Sequence, residues 1–330
     1  MRVMVTGADG LLGSNLVREL LEQGYEVRAG IQPDRRGPTL DGLEIERIRL
    51  DILDPDSITA GIENIDVVVH AAGNTSVNPS RDEAVCRVNF DGTRNVVDSV
   101  LKSGVKLLIH VGTANTFGFG SKSKPGNEEQ PYRAARFRVD YMDSKYAAHQ
   151  LVMEAVAERG LPALIVNPTF LIGPYDYTPS SGAMIRAIHN GDIPFSAPGG
   201  RNFIAVKDVA KGIVSAIERG KIGEAYIMGH ENLTYQEMFN LIASTLQVKG
   251  PRGALPKAVI ITSALVSSLV KKMLGRQPQL TYALARISCC DQYYSAAKAI
   301  DKLNLPQSSL RTAIQESFEW MEQHGVLDRN

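Results

Sequence analysis

The stretch Thr6-Gly7-Ala8-Asp9-Gly10-Leu11-Leu12-Gly13 decides the predicted fold, because it joins an apolar strand pattern to an apolar helix pattern. Residues 2–6 are typical of a short buried strand, and leucines recur at helical spacing up to Gly24. In such a turn one glycine makes the tight bend, a second admits an anion, and a third lets the helix pack on the strand. The context favours a dinucleotide-binding turn over an ordinary strand-to-helix turn. The residues assigned to cofactor binding here are Gly7, Gly10, Leu11, Leu12 and Gly13.

Strand and helix patterns alternate along the first half of the chain. Further strands are predicted at 25–31, 44–50, 65–71, 105–111 and 161–166, and long helices at 82–103 and 139–159. This alternation predicts an α/β fold with a doubly wound parallel sheet. After Gly173-Pro174 turns and helices predominate, which indicates a smaller, mostly helical C-terminal lobe.

The sequence also suggests how the two units divide the chain. We assign residues 1–172 to a dinucleotide-binding domain, and residues 173–202 and 230–330 to a substrate-binding lobe. The segment of about 203–229 has the pattern of a strand–helix–strand unit, and we expect it to return to the main sheet.

Composition excludes several classes of protein. The 330 residues carry 36 basic and 36 acidic side chains, and this zero net charge disfavours nucleic acid and anionic membrane surfaces as partners. Three cysteines form no disulfide framework, and no spacing of His and Cys predicts a metal site. The longest apolar run, Ala258 to Val270, is too short for a bilayer of ~30 Å. We therefore predict a cytoplasmic protein with no membrane span, no metal and no signal peptide.

The end of the second strand selects the cofactor. It reads Ile31-Gln32-Pro33-Asp34-Arg35-Arg36, with no acid directly at the strand tip. Arginine there favours a 2′-phosphate, whereas an acid would bind the ribose 2′-hydroxyl. We predict that Gln32, Arg35 and Arg36 contact the cofactor and that NADP(H) is preferred. NAD(H) stays an alternative, since Asp34 has the usual spacing for the acid, and the arginines also suit a solvated loop.

Other segments follow strand ends and fit the same site. Asp51-Ile52 could hold the adenine, although an aspartate here also suits the start of a helix. Small residues at Ala71-Ala72-Gly73 permit close approach of a cofactor to the backbone. Asn89 and Val111 complete this predicted set, although Asn89 also fits a polar helix surface.

Tyr141 and Lys145 share one face of a predicted helix, because they are four residues apart. A phenol is a weak base at neutral pH, and a neighbouring ammonium lowers its pKa. The pair can therefore exchange a proton with an alcohol or a carbonyl. Thr113 follows the fifth strand, where its hydroxyl could donate to the substrate oxygen. The alternatives are an amphipathic helix face and a turn threonine.

Together these motifs resemble the extended short-chain dehydrogenases/reductases, which have a Rossmann fold. The chain is most similar to the dihydroflavonol-reductase-like group, which includes bacterial proteins labelled hopanoid-associated sugar epimerases. The similarity extends from Met1 to about Leu327. It rests on the glycine turn and on Asp51-Ile52, His70-Ala71-Ala72, Asn89-x-x-Gly92-Thr93, Thr113, Tyr141-x-x-x-Lys145, Asn167-Pro168, Gly173-Pro174 and Phe203-Ile204-x-Val206-x-Asp208-Val209-Ala210.

The resemblance implies roles for these residues. Tyr141 is the proton donor or acceptor, Lys145 its partner and Thr113 the catalytic hydroxyl, while Pro168 and Thr169 line the nicotinamide. The chain departs from the reductase group at Gln32, where arginine is usual, and at Ala205, where histidine is frequent. Because Ala114 and Asn115 replace the Asp-Glu pair of the sugar-nucleotide dehydratases, dehydration is not expected.

We therefore expect an NAD(P)H-dependent reductase or dehydrogenase that acts on a small carbonyl or alcohol. The residues expected to enclose the substrate are Asn74, Thr75, Asn115, Phe117, Phe170, Tyr175 and Arg201. One alternative is a nucleotide-sugar epimerase with tightly bound NAD, in which Arg201 holds the pyrophosphate. Another is a cofactor-sensing protein without catalysis. The resemblance also implies a homodimer formed through the helices at 82–103 and 139–159.

Overall fold

β1 (Arg2–Thr6) lies near the centre of a parallel sheet of seven strands in the computed structural model, which describes residues 1–35, 38–273 and 281–327, with side chains up to 267 and from 281. The order across the sheet is β3-β2-β1-β4-β5-β6-β9. Its other strands are β2 (Glu26–Ile31), β3 (Glu46–Arg49), β4 (Val67–His70), β5 (Leu107–Val111), β6 (Ala163–Pro168) and β9 (Ala225–Met228). The predicted α/β class with a doubly wound parallel sheet is confirmed.

Helices cover both faces of this sheet, as its almost uniformly buried central strands require. The helices of the main sheet are α1 (Leu11–Glu22), α2 (Pro55–Gly61), α3 (Glu83–Cys86), α4 (Gly92–Leu101), α5 (Asp140–Arg159), α7 (Val206–Arg219) and α11 (Ala297–Leu303). Buried residues of α1, α7 and α11 form one apolar cluster with the strands, and those of α2, α4 and α5 form a second one on the other face. The sheet therefore has a core on each side.

Local signals explain where several of these helices begin. Asp54 caps α2 by accepting a hydrogen bond from the Asp56 N–H, and Pro55 occupies the first helical position. Between α3 and α4 the chain forms one π-helical turn, Arg87–Asp91, which turns Asn89 towards the interior. The predicted helix at 82–103 is thus three consecutive segments.

A second sheet forms the smaller lobe around β8 (Gly200–Ala205). The strands that pair with it are β7 (Phe170–Ile172), β10 (Glu231–Thr234) and β11 (Asp291–Gln292). The helices of this lobe are α6 (Gly182–His189), α8 (Tyr235–Leu246), α9 (Lys257–Met273), α10 (Tyr282–Ser288) and α12 (Leu310–Gln323). The sequence patterns did not predict β7, β10, β11, α10 or α11.

The segment 203–229 corrects one part of the predicted division. Its helix α7 packs against α1 and its strand β9 pairs with β6, so both belong to the main sheet as expected. Its first strand, β8, is paired along both edges within the second sheet and has no edge left for the main one. In addition, Ala299 and Leu303 of α11 pack into the main core, although the sequence placed 230–330 in the lobe.

Candidate active site

The predicted glycine turn joins β1 to α1, and its backbone leaves no room for side chains. Gly7 has a φ of +66°, and a Cβ there would come within 2.8 Å of the Ala72 Cα. A Cβ on Gly13 would lie 2.2 Å from the Gly7 carbonyl oxygen. Gly10, which precedes α1, has no side chain to cap the helix, so the first N–H groups of α1 are available to a ligand.

A cleft of about 970 Å³ extends from this turn along the carboxyl ends of the central strands to the smaller lobe. Most of the residues predicted for cofactor, catalysis and substrate line it. They are Gly7, Gly10, Leu11, Leu12, Gly13, Arg35, Ala71, Ala72, Gly73, Asn74, Thr75, Asn89, Val111, Thr113, Asn115, Tyr141, Lys145, Pro168, Thr169, Phe170, Tyr175 and Arg201. Residues from eight segments of the chain thus converge on one cavity, as expected where parallel strands end.

Four predicted residues are placed elsewhere, and Arg36 lies outside the described residues. Gln32 and Asp51 are exposed and do not line the cleft, and Asp51 Oδ1 accepts a hydrogen bond from the Leu53 N–H at 2.9 Å. Ile52 is buried against Gly92, so its side chain belongs to the core. Phe117 corrects the predicted substrate set, because its ring is buried edge-on against His149 with centroids 5.4 Å apart.

Thr113, Tyr141 and Lys145 meet at the end of β5. Thr113 caps a short 3₁₀ helix after β5, where its Oγ1 accepts from the Asn115 N–H at 3.4 Å. Tyr141 lies in the first turn of α5, and its phenol interacts with the side chain of Thr113. Lys145 follows one turn later, and its buried Nζ donates to the Val111 carbonyl oxygen at 2.7 Å.

Burial dominates the electrostatics of this trio. It raises the pKa of Tyr141, while the hydrogen bond with Thr113 and the charge of Arg201 act in the opposite direction. Burial also lowers the pKa of Lys145 to about 8, because the ammonium is taken out of water. Arg201 is thus a second cation, besides the predicted Lys145, whose charge favours the deprotonated phenol.

Asn89 is hydrogen-bonded to the loop that follows β4 and lines the cleft. Its Oδ1 accepts from the Asn74 N–H at 2.8 Å, and its Nδ2 donates to the Asn74 carbonyl at 2.9 Å and to Ser144 Oγ at 3.1 Å. These bonds join the loop after β4 to α5. Asn89 therefore lies at the cleft wall, with its amide already bonded to the protein.

The second lobe contributes the predicted Arg201 and several cleft residues that the sequence did not single out. Arg201 Nε donates to Tyr235 Oη at 2.8 Å, which fixes the guanidinium at the cleft wall. The residues that the sequence missed include Leu284, Ile287 and Tyr294, from the C-terminal part of the chain. That part reaches the lobe through pairing of β11 with β8, between segments far apart in the sequence.

Two further observations concern other classes of site. Within the described residues no three His, Cys, Asp or Glu side chains are grouped as metal ligands, and the three cysteines are free thiols. In the same part of the chain, no helix has the length and apolar character that crossing a membrane requires.

Comparison with known proteins agrees with this geometry. The profile of the NAD dependent epimerase/dehydratase family matches residues 3–229. The chain is 33% identical to a Synechocystis sp. protein named as a dihydroflavonol 4-reductase, over 98% of this chain and 95% of that one. It is 29% identical to sterol demethylase protein B of Methylococcus capsulatus, over 99% and 100% of the two chains.

Among solved structures, that of gox2253 is 32% identical and superposes with a TM-score of 0.87 over 98% of both chains. These findings confirm the resemblance drawn from the motifs. The chain therefore belongs to the NAD dependent epimerase/dehydratase family, the extended short-chain dehydrogenases/reductases, and is an NAD(P)-dependent oxidoreductase.

Proposed function

We propose that the protein catalyses reversible reduction of a ketone or aldehyde to an alcohol, with Tyr141 as proton donor. The proximity of the Tyr141 phenol and the Thr113 hydroxyl in the cleft carries this proposal. It brings two hydroxyl groups to one point, where a substrate oxygen can accept a hydrogen bond from each. A nicotinamide supplies the hydride in reduction and accepts it in oxidation when it is bound.

The glycine turn supports the dinucleotide assignment. The open backbone at Gly7 and Gly13 and the free N–H groups of α1 fit a pyrophosphate. Ala71, Ala72 and Gly73 give a wall of small residues beside it. Lys145, held by Val111, is placed to bind a ribose hydroxyl.

We propose NADP(H) as the preferred cofactor. Arg35 lines the cleft and is half exposed, which suits a 2′-phosphate. Its guanidinium is 4.0 Å from Asp9, and this carboxylate competes for the arginine. Thermal shifts with NADH and NADPH at equal concentration decide between the cofactors, since the ligand that binds more tightly raises the stability of the folded protein more. A larger shift with NADH contradicts the preference.

The proton step follows from the pKa values. Because burial raises the pKa of Tyr141, its phenol is protonated at neutral pH and ready to donate to the alkoxide formed in reduction. Thr113 stabilises the same oxygen while negative charge develops on it. In oxidation the phenol must first lose its proton, which the charge of Arg201 favours.

The test of this function is Tyr141→Phe, assayed by the loss of NADPH absorbance with a panel of ketones and aldehydes. We expect turnover to disappear while NADPH binding stays within a few-fold, because the change removes one hydroxyl and keeps the ring. If Tyr141→Phe retains turnover, another group donates the proton and the role proposed for Tyr141 is wrong.

A nucleotide-sugar epimerase is the second candidate, and Arg201 is the observation that favours it. Its guanidinium is held in the cleft by Tyr235 and could bind a diphosphate. An epimerase would retain NAD through purification, so the absorbance spectrum of the protein purified without added cofactor distinguishes the two. Retained NAD together with tight binding of a UDP-sugar would replace our first proposal.

We also propose that two copies associate through the outer faces of α3 and α5, as the family resemblance implies. A shallow cavity of about 660 Å³ between them is lined by Glu83, Phe90 and Ala147. Light scattering of the purified protein tests this, and a monomer at micromolar concentration contradicts it.

A further inference from the structure

The helix α9 directs three of its large aliphatic side chains outward. Val259, Leu265 and Val266 are 48%, 45% and 55% exposed, whereas Ala264 is fully buried. Thr262, which is also exposed, lies between them at helical spacing, so these residues form one outward stripe. A surface helix normally has charged and polar residues on its outward side.

This exposure is concentrated in one region. Within the described residues eight large hydrophobic side chains are strongly exposed, and four of them are in α9 or at Tyr282, where α10 begins. An apolar surface of this kind marks a binding surface when it is contiguous. We therefore expect this stripe to bind an apolar partner.

The charge around the stripe identifies the partner. Between Glu237 and Asp291 the sequence has four lysines and three arginines and no acidic residue, although the whole chain is neutral. Lys249, Arg252 and Lys257 are exposed, and none of them has an acidic partner in the described part of the chain. Lys271 and Lys272 follow the stripe in the sequence. The region is therefore apolar in its middle and basic at its ends.

We propose that α9 docks on the surface of an anionic lipid bilayer, with its aliphatic stripe in the interface and the exposed Lys249, Arg252 and Lys257 at the headgroups. Aliphatic side chains bordered by lysines are the pattern of helices that lie in this interface, and clustered basic residues are attracted to anionic lipid. A second copy of this chain fits the surface less well. A two-fold contact would bring the same basic segments together, and like charges repel.

The position of α9 links this surface to the cleft. α9 packs against α10, and Leu284 and Ile287 of α10 line the cleft. Docking would therefore bring the cleft wall close to the bilayer. The docking proposal does not depend on the reaction proposed above, because it rests only on exposure and charge.

Sedimentation of the full-length protein with vesicles tests the proposal. We expect binding to vesicles of phosphatidylcholine mixed with phosphatidylglycerol, and at least roughly tenfold weaker binding to pure phosphatidylcholine or in high salt. Leu265→Glu combined with Val266→Glu should weaken binding by about tenfold or more. The matched control is Ile222→Glu, which changes a side chain that is 57% exposed outside this segment and should bind as the parent does.

A second variant guards against loss of folding. Lys249→Glu combined with Lys257→Glu leaves the apolar stripe intact and should weaken binding to the anionic vesicles alone. The stability shift with NADPH checks that each variant is folded. The proposal is overturned if the parent protein does not sediment with anionic vesicles, or if folded Leu265→Glu, Val266→Glu binds like Ile222→Glu. A concentration-dependent dimer that this double variant abolishes, without vesicle binding, assigns the stripe to a second copy instead.

Discussion

Lys145 donates a hydrogen bond from Nζ to the backbone carbonyl of Val111 across 2.7 Å, so the helix α5 is tied to the end of β5 by a buried ammonium. A carbonyl is a weaker partner for this charge than a carboxylate, and burial lowers the pKa of Lys145 to about 8. The contact that joins β5 to α5 therefore buries a charge, and this burial lowers the stability of the folded protein by an amount that depends on pH.

The first prediction concerns that cost. The unfolded lysine has a pKa near 10.5, so between about pH 8 and 10.5 the unfolded state binds more protons than the folded one. The contribution of Lys145 is therefore least favourable below pH 8 and improves as the pH rises. We expect the free energy of unfolding of Lys145→Met, relative to that of the parent, to be larger at pH 7 than at pH 10. The difference between the two pH values should be on the order of 3 kcal/mol, measured by urea unfolding. An equal difference at both pH values contradicts the lowered pKa.

The second prediction concerns the hydroxyl of Thr113. Because its hydrogen bond lowers the pKa of Tyr141, Thr113→Val should raise that pKa further. Alcohol oxidation needs the deprotonated phenol, so the basic rise of its pH–rate profile should move to higher pH, and turnover should fall by roughly a hundredfold. Thr113→Ser keeps the hydroxyl and should keep the profile. A Thr113→Val enzyme with the parent profile would assign the hydroxyl no part in the proton step.

The third prediction separates the cost of backbone strain from the cost of steric contact, by comparing Gly24 with Gly7 of the glycine turn. Gly24 has a φ of +78° and open space around it, so Gly24→Ala should cost about 1 kcal/mol in the free energy of unfolding. Gly7 has a similar φ, but a Cβ there meets the Ala72 backbone. Gly7→Ala should cost about 3 kcal/mol and should also abolish the stability shift with NADPH. Equal losses in urea unfolding would show that the turn relaxes.

The fourth prediction checks the corrected position of Phe117. Its ring is buried behind the cleft, so Phe117→Leu should cost about 1 kcal/mol in unfolding free energy and leave the KM for a carbonyl substrate unchanged. Phe170 lines the cleft, and Phe170→Leu should change that KM. Steady-state kinetics on both variants measure this contrast. A KM effect of Phe117→Leu that exceeds that of Phe170→Leu returns Phe117 to the substrate site.

Much of the site was predictable because its signals are local. The glycines of the first turn, the spacing of Tyr141 and Lys145, and the small residues after β4 all follow from constraints within a few residues. The parallel sheet then brings these strand ends to one edge, whatever the details of packing. The fold class and the convergence on one cleft follow from these patterns alone.

Other features of the site were not predictable from the sequence, because side-chain direction depends on packing. Phe117 and Ile52 follow strand ends as the cleft residues do, yet both turn into the core. The sequence predicts Asn89 as a cofactor contact or a surface residue. In the structure the π-helical turn directs its amide inward, where Oδ1 accepts a hydrogen bond from the Asn74 N–H. Sequence spacing does not reveal such a turn, since it comes from one extra residue in the helix.

Local patterns in the sequence specify the dinucleotide sheet, its glycine turn and the Tyr141–Lys145 face, because the period of apolar residues and the steric limits on glycine act over a few residues. The residues that close the cleft depend on tertiary packing. Tyr294 and Ile287 reach it from the C-terminal part of the chain, and the predicted Arg201 is held at its wall by Tyr235. Packing also leaves Val259, Leu265 and Val266 of α9 exposed, within a basic segment that the neutral total charge conceals. Both outcomes depend on which faces of distant segments meet, and local patterns do not encode that.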